Sequence, residues 1–257
     1  MRKFLGIIAA AVFFSALVAG CGNVEEQEAP QEPVGLPEKI FELQDYPKCD
    51  GAALALPMSE AVCAALTGEE IKNVHKKIVH NGSEKALENL LSSNADIIFI
   101  PDSEDKIKEA AQNAGIEVEI VPVAREYYIF YTTEDAEPDT SGETGDDAGA
   151  AEKEDEQPGI TAEEAESVLL GTSSTNTKYE YGYFLSGFIP EKIQIIAVDG
   201  ICPSAETVES GEYTFTLFYN AVIRADSPAD SGERKIIDAM LDEKGQHLLE
   251  EAGYVKL

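Results

Sequence analysis

Hydrophobic positions change their period along this chain, and each change marks an element. From Ile40 onward the pattern is that of a folded domain. Phe41–Cys49 reads as extended, and Ala61, Val62, Ala65 and Leu66 then recur at helical spacing. A helix is expected over Met58–Leu66, opened by Pro57 and closed by Gly68. Ile78–Val79 reads as a short strand, and Asn81-Gly82-Ser83 as a turn whose Ser83 caps a helix over Glu84–Ser93. Ala95–Ile100 is apolar apart from Asp96, the signature of a strand covered on both faces. Pro101-Asp102-Ser103 opens a helix over Glu104–Ala114 that Gly115 ends, and Ile116, Val118 and Ile120 then alternate as a strand. This β-α-β-α-β order implies a mostly parallel sheet with helices on both faces. Ligands of such sheets sit at the carboxyl ends of the strands. The segments 50–55, 81–83 and 101–103 all fall there.

The second half is more irregular. Arg125–Thr133 is an aromatic strand pattern with Tyr127, Tyr128, Phe130 and Tyr131. Residues 134–157 then hold eleven acidic residues and one Lys among small polar ones, too little apolar area to order the segment. It reads as a disordered acidic loop; the alternative, a weak calcium or partner tail, lacks the D-x-[DN]-x-[DN]-G spacing. Thr161-Ala162-Glu163-Glu164 fits a capping box for a short helix ending near Gly171. Thr172–Thr177 is a hydroxyl-rich loop, Tyr179–Ile189 is extended or partly helical, and Lys192–Val198 and Tyr213–Arg224 read as strands. Ser231 opens a final helix through Ile236, Ile237, Met240 and Leu241, with a break at Gly245 and an end at Gly253.

The N-terminus belongs to none of this. Arg2 and Lys3 precede an apolar run from Phe4 to Ala19, too short and wrongly flanked for a permanent span. Leu17-Val18-Ala19-Gly20-Cys21 resembles a bacterial lipobox, in which Cys21 is lipidated and becomes the mature N-terminus. The alternative is an ordinary signal peptide with a structural Cys. Residues 1–20 are therefore expected to be a signal segment and residues 21–38, rich in Glu, Gln and Pro, a solvated tether to the membrane. This places the protein on the extracytoplasmic face of the cell membrane.

The chain has 257 residues and a formal charge of −30, enough length for one large domain or two lobes. Such acidity excludes a nucleic-acid backbone as partner. Cys49, Cys63 and Cys202 remain after Cys21, an odd number that argues against a disulfide framework. Cys63 reads as a small buried hydrophobe, with a Cys49–Cys63 bridge as the alternative. His75 and His80 lie five apart on opposite faces of an extended stretch and His247 is remote, so no metal or cofactor is expected. Ser103-Glu104-Asp105-Lys106 matches S-x-x-K without the S-D-N and K-T-G companions, and there is no G-x-S-x-G, P-loop or H-E-x-x-H, so the chain is not expected to be an enzyme.

The candidate site is the stretch Asp50 to Ser59, a loop feeding a helix start where backbone N–H groups point outward at a ligand. Its neighbourhood resembles the phosphate-type solute-binding lipoproteins of ABC transporters. The resemblance rests on Asp45-Tyr46-Pro47-Lys48-Cys49-Asp50-Gly51, on Glu88-Asn89-Leu90 before Ala95-Asp96-Ile97-Ile98-Phe99, and on a C-terminal series. That series is Ala197-Val198-Asp199-Gly200, Pro203, Glu206-Thr207, Ser210-Gly211-Glu212-Tyr213, Ala221 to Asp226, and Glu251-Ala252-Gly253-Tyr254-Val255. It implies an α/β, two-lobe, periplasmic-binding-protein-like (type II) fold with mixed sheets and a hinge. Lobe one would span 39–122 plus 218–257, and lobe two 123–217, with strands near Val123 and Leu217 crossing between them. A small solute or oxyanion would be clamped between the lobes and presented to an ABC permease.

The departures concern the grip. Where the family places Ser and Thr after Asp-Gly, this chain has Ala52, Ala53 and Ala55 around Leu54. Ser83 matches a family hydroxyl at a helix start, and Asp102 matches an acidic residue that accepts a phosphate proton. The second lobe is shortened between Gly171 and Tyr179 and shows neither the family's Arg nor its Gly-Ser-Gly-Thr-like helix start, leaving the 172–177 loop as a stand-in. A hydrogen bond to a charged group is worth about 1.5–3 kcal/mol, so losing three or four lowers anion affinity by several powers of ten. The expected ligand-binding residues are Ala52, Ala53, Ser83, Asp102 and, near the hinge, Arg125, whose alternative is a surface ion pair. Tyr127, Tyr128, Tyr181 and Tyr183 are either walls for a less charged ligand or strand packing. A second function is a surface lipoprotein that kept the fold and binds a protein partner instead.

Overall fold

A computed structural model describes residues 34–133, 159–171, 181–187 and 193–257. The expectations for the signal segment, Cys21, the start of the tether, the acidic loop and the 172–177 loop lie outside these residues. The chain enters through a 3-10 turn at Leu43–Asp45, so the expected extended run Phe41–Cys49 is interrupted. Strand β1 is Cys49–Gly51, and after a second 3-10 turn at Ala53–Ala55 helix α1 runs Leu56–Thr67, with Pro57 in its first turn and Gly68 at φ 67° ending it. The expected strand Ile78–Val79 does not form. A short helix α2, Ile71–Val74, and turns occupy this stretch, because Val74 and Ile78 both bury against the core from one coiled segment.

Helix α3 is Ser83–Leu91 and its cap is Gly82 at φ 91°, not Ser83, which is the first helical residue. Then come β2, Ile97–Ile100, and α4, Glu104–Ala114, ended by Gly115 as expected. The two strands expected around Ile120 and Arg125 are one strand, β3, Val118–Thr133. The remaining elements are β4 (Gly159–Ile160), α5 (Ala162–Leu169), β5 (Tyr181–Leu185), β6 (Ile193–Ile195), β7 (Ala197–Val198), α6 (Ala205–Glu209) and β8 (Thr216–Arg224). Helices α7 (Gly232–Leu241) and α8 (Glu243–Glu251) close the chain. Thr161 and Glu164 make the expected capping box of α5. The final helical run breaks at Asp242 rather than at Gly245, since Asp242 is extended at ψ 167° and caps α8 through the Gly245 N–H.

The main sheet has the order β1-β2-β8-β3-β5, with β6 also on β3. Only β1 and β2 in it are parallel; β8 is antiparallel to β2 and β3 antiparallel to β8. The sheet is therefore mixed, not mostly parallel. The sequence order of strands and helices cannot reveal this, because β8 inserts from the far end of the chain. Alternation within β2 separates two cores: Ile97 and Phe99 face α1, α7 and α8, while Ile98 and Ile100 face α3 and α4. A third core lies around the far half of β3, with Phe130, Ala165, Val168, Ile196, Val208 and Tyr213. Strand β3 runs from the first two cores, where β8 also contributes Tyr219, Ala221, Val222 and Ile223, into the third.

At the crossover β3 has a bulge at Val123. Gln246 of α8 holds it, donating from Nε2 to the carbonyls of Val123 at 3.0 Å and Met240 at 2.8 Å. Gln246→Leu leaves both carbonyls unmet in a partly buried place and is expected to cost ~2 kcal/mol, read as a lower urea midpoint at unchanged slope. Cys49 and Cys63 are free thiols, so the alternative of a bridge is not realised; burial pushes the Cys63 thiol up to about 12.

Candidate functional site

The parallel β1 and β2 end at the same edge of the sheet, and three helix starts gather there. Gly51 leads through Ala52 into α1, the Gly82 N–H donates to the Gly51 carbonyl at 2.9 Å to place the start of α3, and β2 leads through Asp102 into α4. Asn220 of β8 donates to the Asp102 carbonyl at 3.1 Å and fixes that last turn. The first N–H groups of a helix have no partner within it. Helices α5, α6 and α8 close theirs with Thr161, Ser204 and Asp242. Among the described residues the start of α1, which its N-cap Ala55 cannot serve, has its Met58 N–H met by the Tyr254 hydroxyl, while α3 and α4 have no side-chain cap. Helix α7 also opens without one, at the opposite edge of the sheet.

Asp50 organises this edge. It is 3% exposed, and its carboxylate takes four hydrogen bonds: Oδ1 from the N–H groups of Gly51 (2.7 Å) and Asn81 (2.8 Å), Oδ2 from the side-chain amides of Asn81 (2.8 Å) and Asn89 (2.6 Å). Burial alone raises this carboxyl, but the donors of Asn89, Asn81 and Gly51 outweigh it and hold it below the usual range. His80 ties the next residue, its Nδ1 lying 2.8 Å from the Ala52 carbonyl. Burial lowers the His80 pKa, so the ring is neutral and Nδ1–H is the donor. A Cβ on Gly51 would lie 2.4 Å from the Phe99 carbonyl oxygen and 2.9 Å from His80 Cε1, which is why this position has no side chain.

Of the expected ligand residues, the structure brings Ala52, Ala53, Ser83 and Asp102 to this edge. Ala52 is buried and Ala53 exposed, so the loop presents methyl groups and backbone where the sequence carries no hydroxyls. Ser83 and Asp102 share a groove of about 390 Å³ between α3 and α4, with Leu87, Leu91 and Ala110 below. Its cation, Lys106, is paired with Asp102, and Glu84, Glu104 and Asp105 already complement the starts of α3 and α4. Arg125 is not part of this edge. Its backbone carbonyl accepts from the Val255 N–H, and its Nε donates to the Lys256 carbonyl at 2.6 Å, so it anchors the C-terminus. The tyrosines pack on one another: Tyr127 is edge-on to Tyr213 and Tyr128 edge-on to Tyr183. Of Tyr181 only the strand position is described.

No protein-family model matches the chain, and no curated protein does. Solved structures do. An ABC-type phosphate transport receptor from Vibrio cholerae superposes with a TM-score of 0.52 at 12% identity, covering 81% of this chain and 98% of that one. A Clostridium perfringens protein described as a phosphate ABC transporter substrate-binding protein, with phosphate bound, gives 0.51 at 15% over 81% and 98%. This chain has the periplasmic-binding-protein fold. A Planctomyces limnophilus protein described as phosphate-binding gives 0.50 at 16% over 81% and 92%. At these identities the likeness to periplasmic binding proteins is one of architecture, and the chemistry has to be argued from this chain's own residues.

Sequence reasoning missed the residues that shape the edge. Asn81 and Asn89 serve Asp50 from the turn before α3 and from within α3, and only the fold brings them together. Glu126 was missed as well, although it is an acidic residue inside an otherwise apolar and aromatic strand, which is a legible signal.

Proposed function

We propose that the mature chain is an extracytoplasmic, lipid-anchored solute-binding protein that delivers a small solute or oxyanion to an ABC permease, with much of a phosphate-type site replaced. The ligand lies between lobe one (39–122 and 218–257) and lobe two (123–217). The observation that carries this reading is the gathering of three helix starts at the carboxyl ends of β1 and β2, of which those of α3 and α4 have no side-chain cap. The backbone N–H groups of Ala53 and Leu54 and the Ser83 hydroxyl are the donors, and Asp102 is an acceptor. With alanines in the loop and Arg125 committed to the C-terminus, phosphate is held weakly.

The test is calorimetry and thermal unfolding of the soluble domain with phosphate, molybdate and a panel of uncharged solutes. A true ligand at about 100 times its Kd adds ~2.7 kcal/mol of stability, and scattering shows the lobes closing. Nanomolar capture of phosphate would sink the claim of a replaced site. A flat panel without closure would sink transport. That second outcome favours a protein partner, for which Leu54 (53% exposed) in the loop and Val79 (57%) beside His80 provide apolar contact.

A further inference from the structure

The strongest unexplained group is Glu126, a carboxyl on β3 where the strand passes between the two cores. It is 6% exposed, and among the described residues no cation pairs with it. Oε1 accepts from the Gly187 N–H at 3.1 Å, just past β5, and Oε2 accepts from the Tyr219 hydroxyl of β8. Ala124, two residues back on the same face, belongs to the core that also holds Tyr219, Ala55, Met58 and Tyr254. The Tyr219 and Tyr254 rings meet edge-on at 5.6 Å, and the Tyr254 hydroxyl oxygen accepts a backbone hydrogen bond from Met58 in the first turn of α1. A continuous column, Met58 N–H to Tyr254 to Tyr219 to Glu126 to Gly187 N–H, therefore joins the start of α1 to the second region.

We infer that Glu126 sets the charge selectivity of the cleft: ionised, it turns oxyanions away and leaves the site to uncharged or cationic solutes; protonated, it admits an oxyanion. This rests on the reading that the solute lies between α1 and the second region. A unit negative charge beside a low-dielectric site opposes a second one with a penalty that corresponds to roughly ten- to hundredfold in affinity.

The groups facing Glu126 leave it as the one that titrates. Tyr128 from its own strand, Tyr219 from β8 and Tyr254 from the C-terminal segment are all raised by burial and stay neutral at any ordinary pH. Burial raises Glu126 too, against the opposing pull of Tyr219 and the Gly187 N–H, so it takes up its proton earlier on acidification than an exposed glutamate.

Sulfate is the probe, because its charge is constant from about pH 5 to 8. Calorimetric titration of the whole soluble domain is expected to show affinity rising as the pH falls through the raised Glu126 value, by roughly tenfold once the carboxyl is protonated. In Glu126→Gln the affinity at neutral pH should already match the acid value, leaving only the shallow slope set by the overall charge. Tyr219→Phe removes a donor that favours the ionised form and should move the transition to higher pH. Sulfate binding by Glu126→Gln that equals wild type at both pH values overturns the inference. So does the absence of sulfate binding in every variant. In that last case an uncharged solute that still stabilises the wild type would leave the solute-binding reading standing, and a flat panel would remove both.

Discussion

Asp50→Ala is expected to lower stability by about 4 kcal/mol, a large part of what a domain of this size has. The substitution strips the acceptor from two backbone N–H groups and two side-chain amides at once. A buried donor left unmet costs about 1–3 kcal/mol. The full sum is not reached because Asn81 is exposed and can turn its amide to water. Asp50→Asn should lie between, since it keeps the shape but sets one amide against another. Urea unfolding is the measurement, and a loss below ~1 kcal/mol would refute the account.

The pH dependence provides an independent check. The folded carboxyl of Asp50 lies below its unfolded value of about 3.9, so its contribution is fully present above that pH. It disappears as pH falls through the folded value. The wild-type and Asp50→Ala stability curves should therefore run apart near neutrality and converge in acid. The same substitution loosens the start of α3, so under the proposed function Ser83 loses its position and a fall in ligand affinity is the expected result.

Gly245→Ala is the second large effect, and here local and tertiary physics have opposite signs. By helix propensity alone alanine would be favoured by about 1 kcal/mol over glycine within a helix. In the fold a Cβ at this position would lie 1.9 Å from the Ala239 carbonyl oxygen and 2.8 Å from Met240 Cα, both backbone atoms of α7. Neither can rotate away, so α8 must move off α7. Gln246, next in the chain, would then lose the Val123 bulge. We expect a loss of at least ~3 kcal/mol and, because the bulge lies at the crossover between the two cores, weaker ligand closure. Unfolding and scattering of the variant test this; a gain in stability would refute it.

Legibility followed the range of the interactions. Helices α4 and α5 were readable because their signals are local: Gly115 at φ 69° ends one, and Thr161 with Glu164 opens the other. Strand β2 was readable because its apolar run has only one consistent placement, inside a sheet covered on both faces. Ile78–Val79 misled because two apolar residues suit a strand and a buried coil equally well. The parallel sheet was a misjudgement of order, since β8 lies between β2 and β3. The last helix break falls three residues before the glycine that suggests it, because the decisive signal is the cap. Asp242 leaves helical geometry and accepts from the Gly245 N–H, while Gly245 itself stays helical to let α7 pass close by.

For the site, the sequence alone determined which groups are absent: alanines follow Asp50-Gly51, and no fold can supply a hydroxyl from those positions. It also determined the strong negative charge. Only the tertiary structure decided which groups are present. It committed Arg125 to the C-terminal segment, surrounded Asp50 with donors from α3 and the turn before it, and set Glu126 beside tyrosines from β8 and the C-terminal segment. The physical reason is one of range: a side chain's chemical type is carried by its own position, while its partners, burial and protonation come from segments as many as 134 residues away.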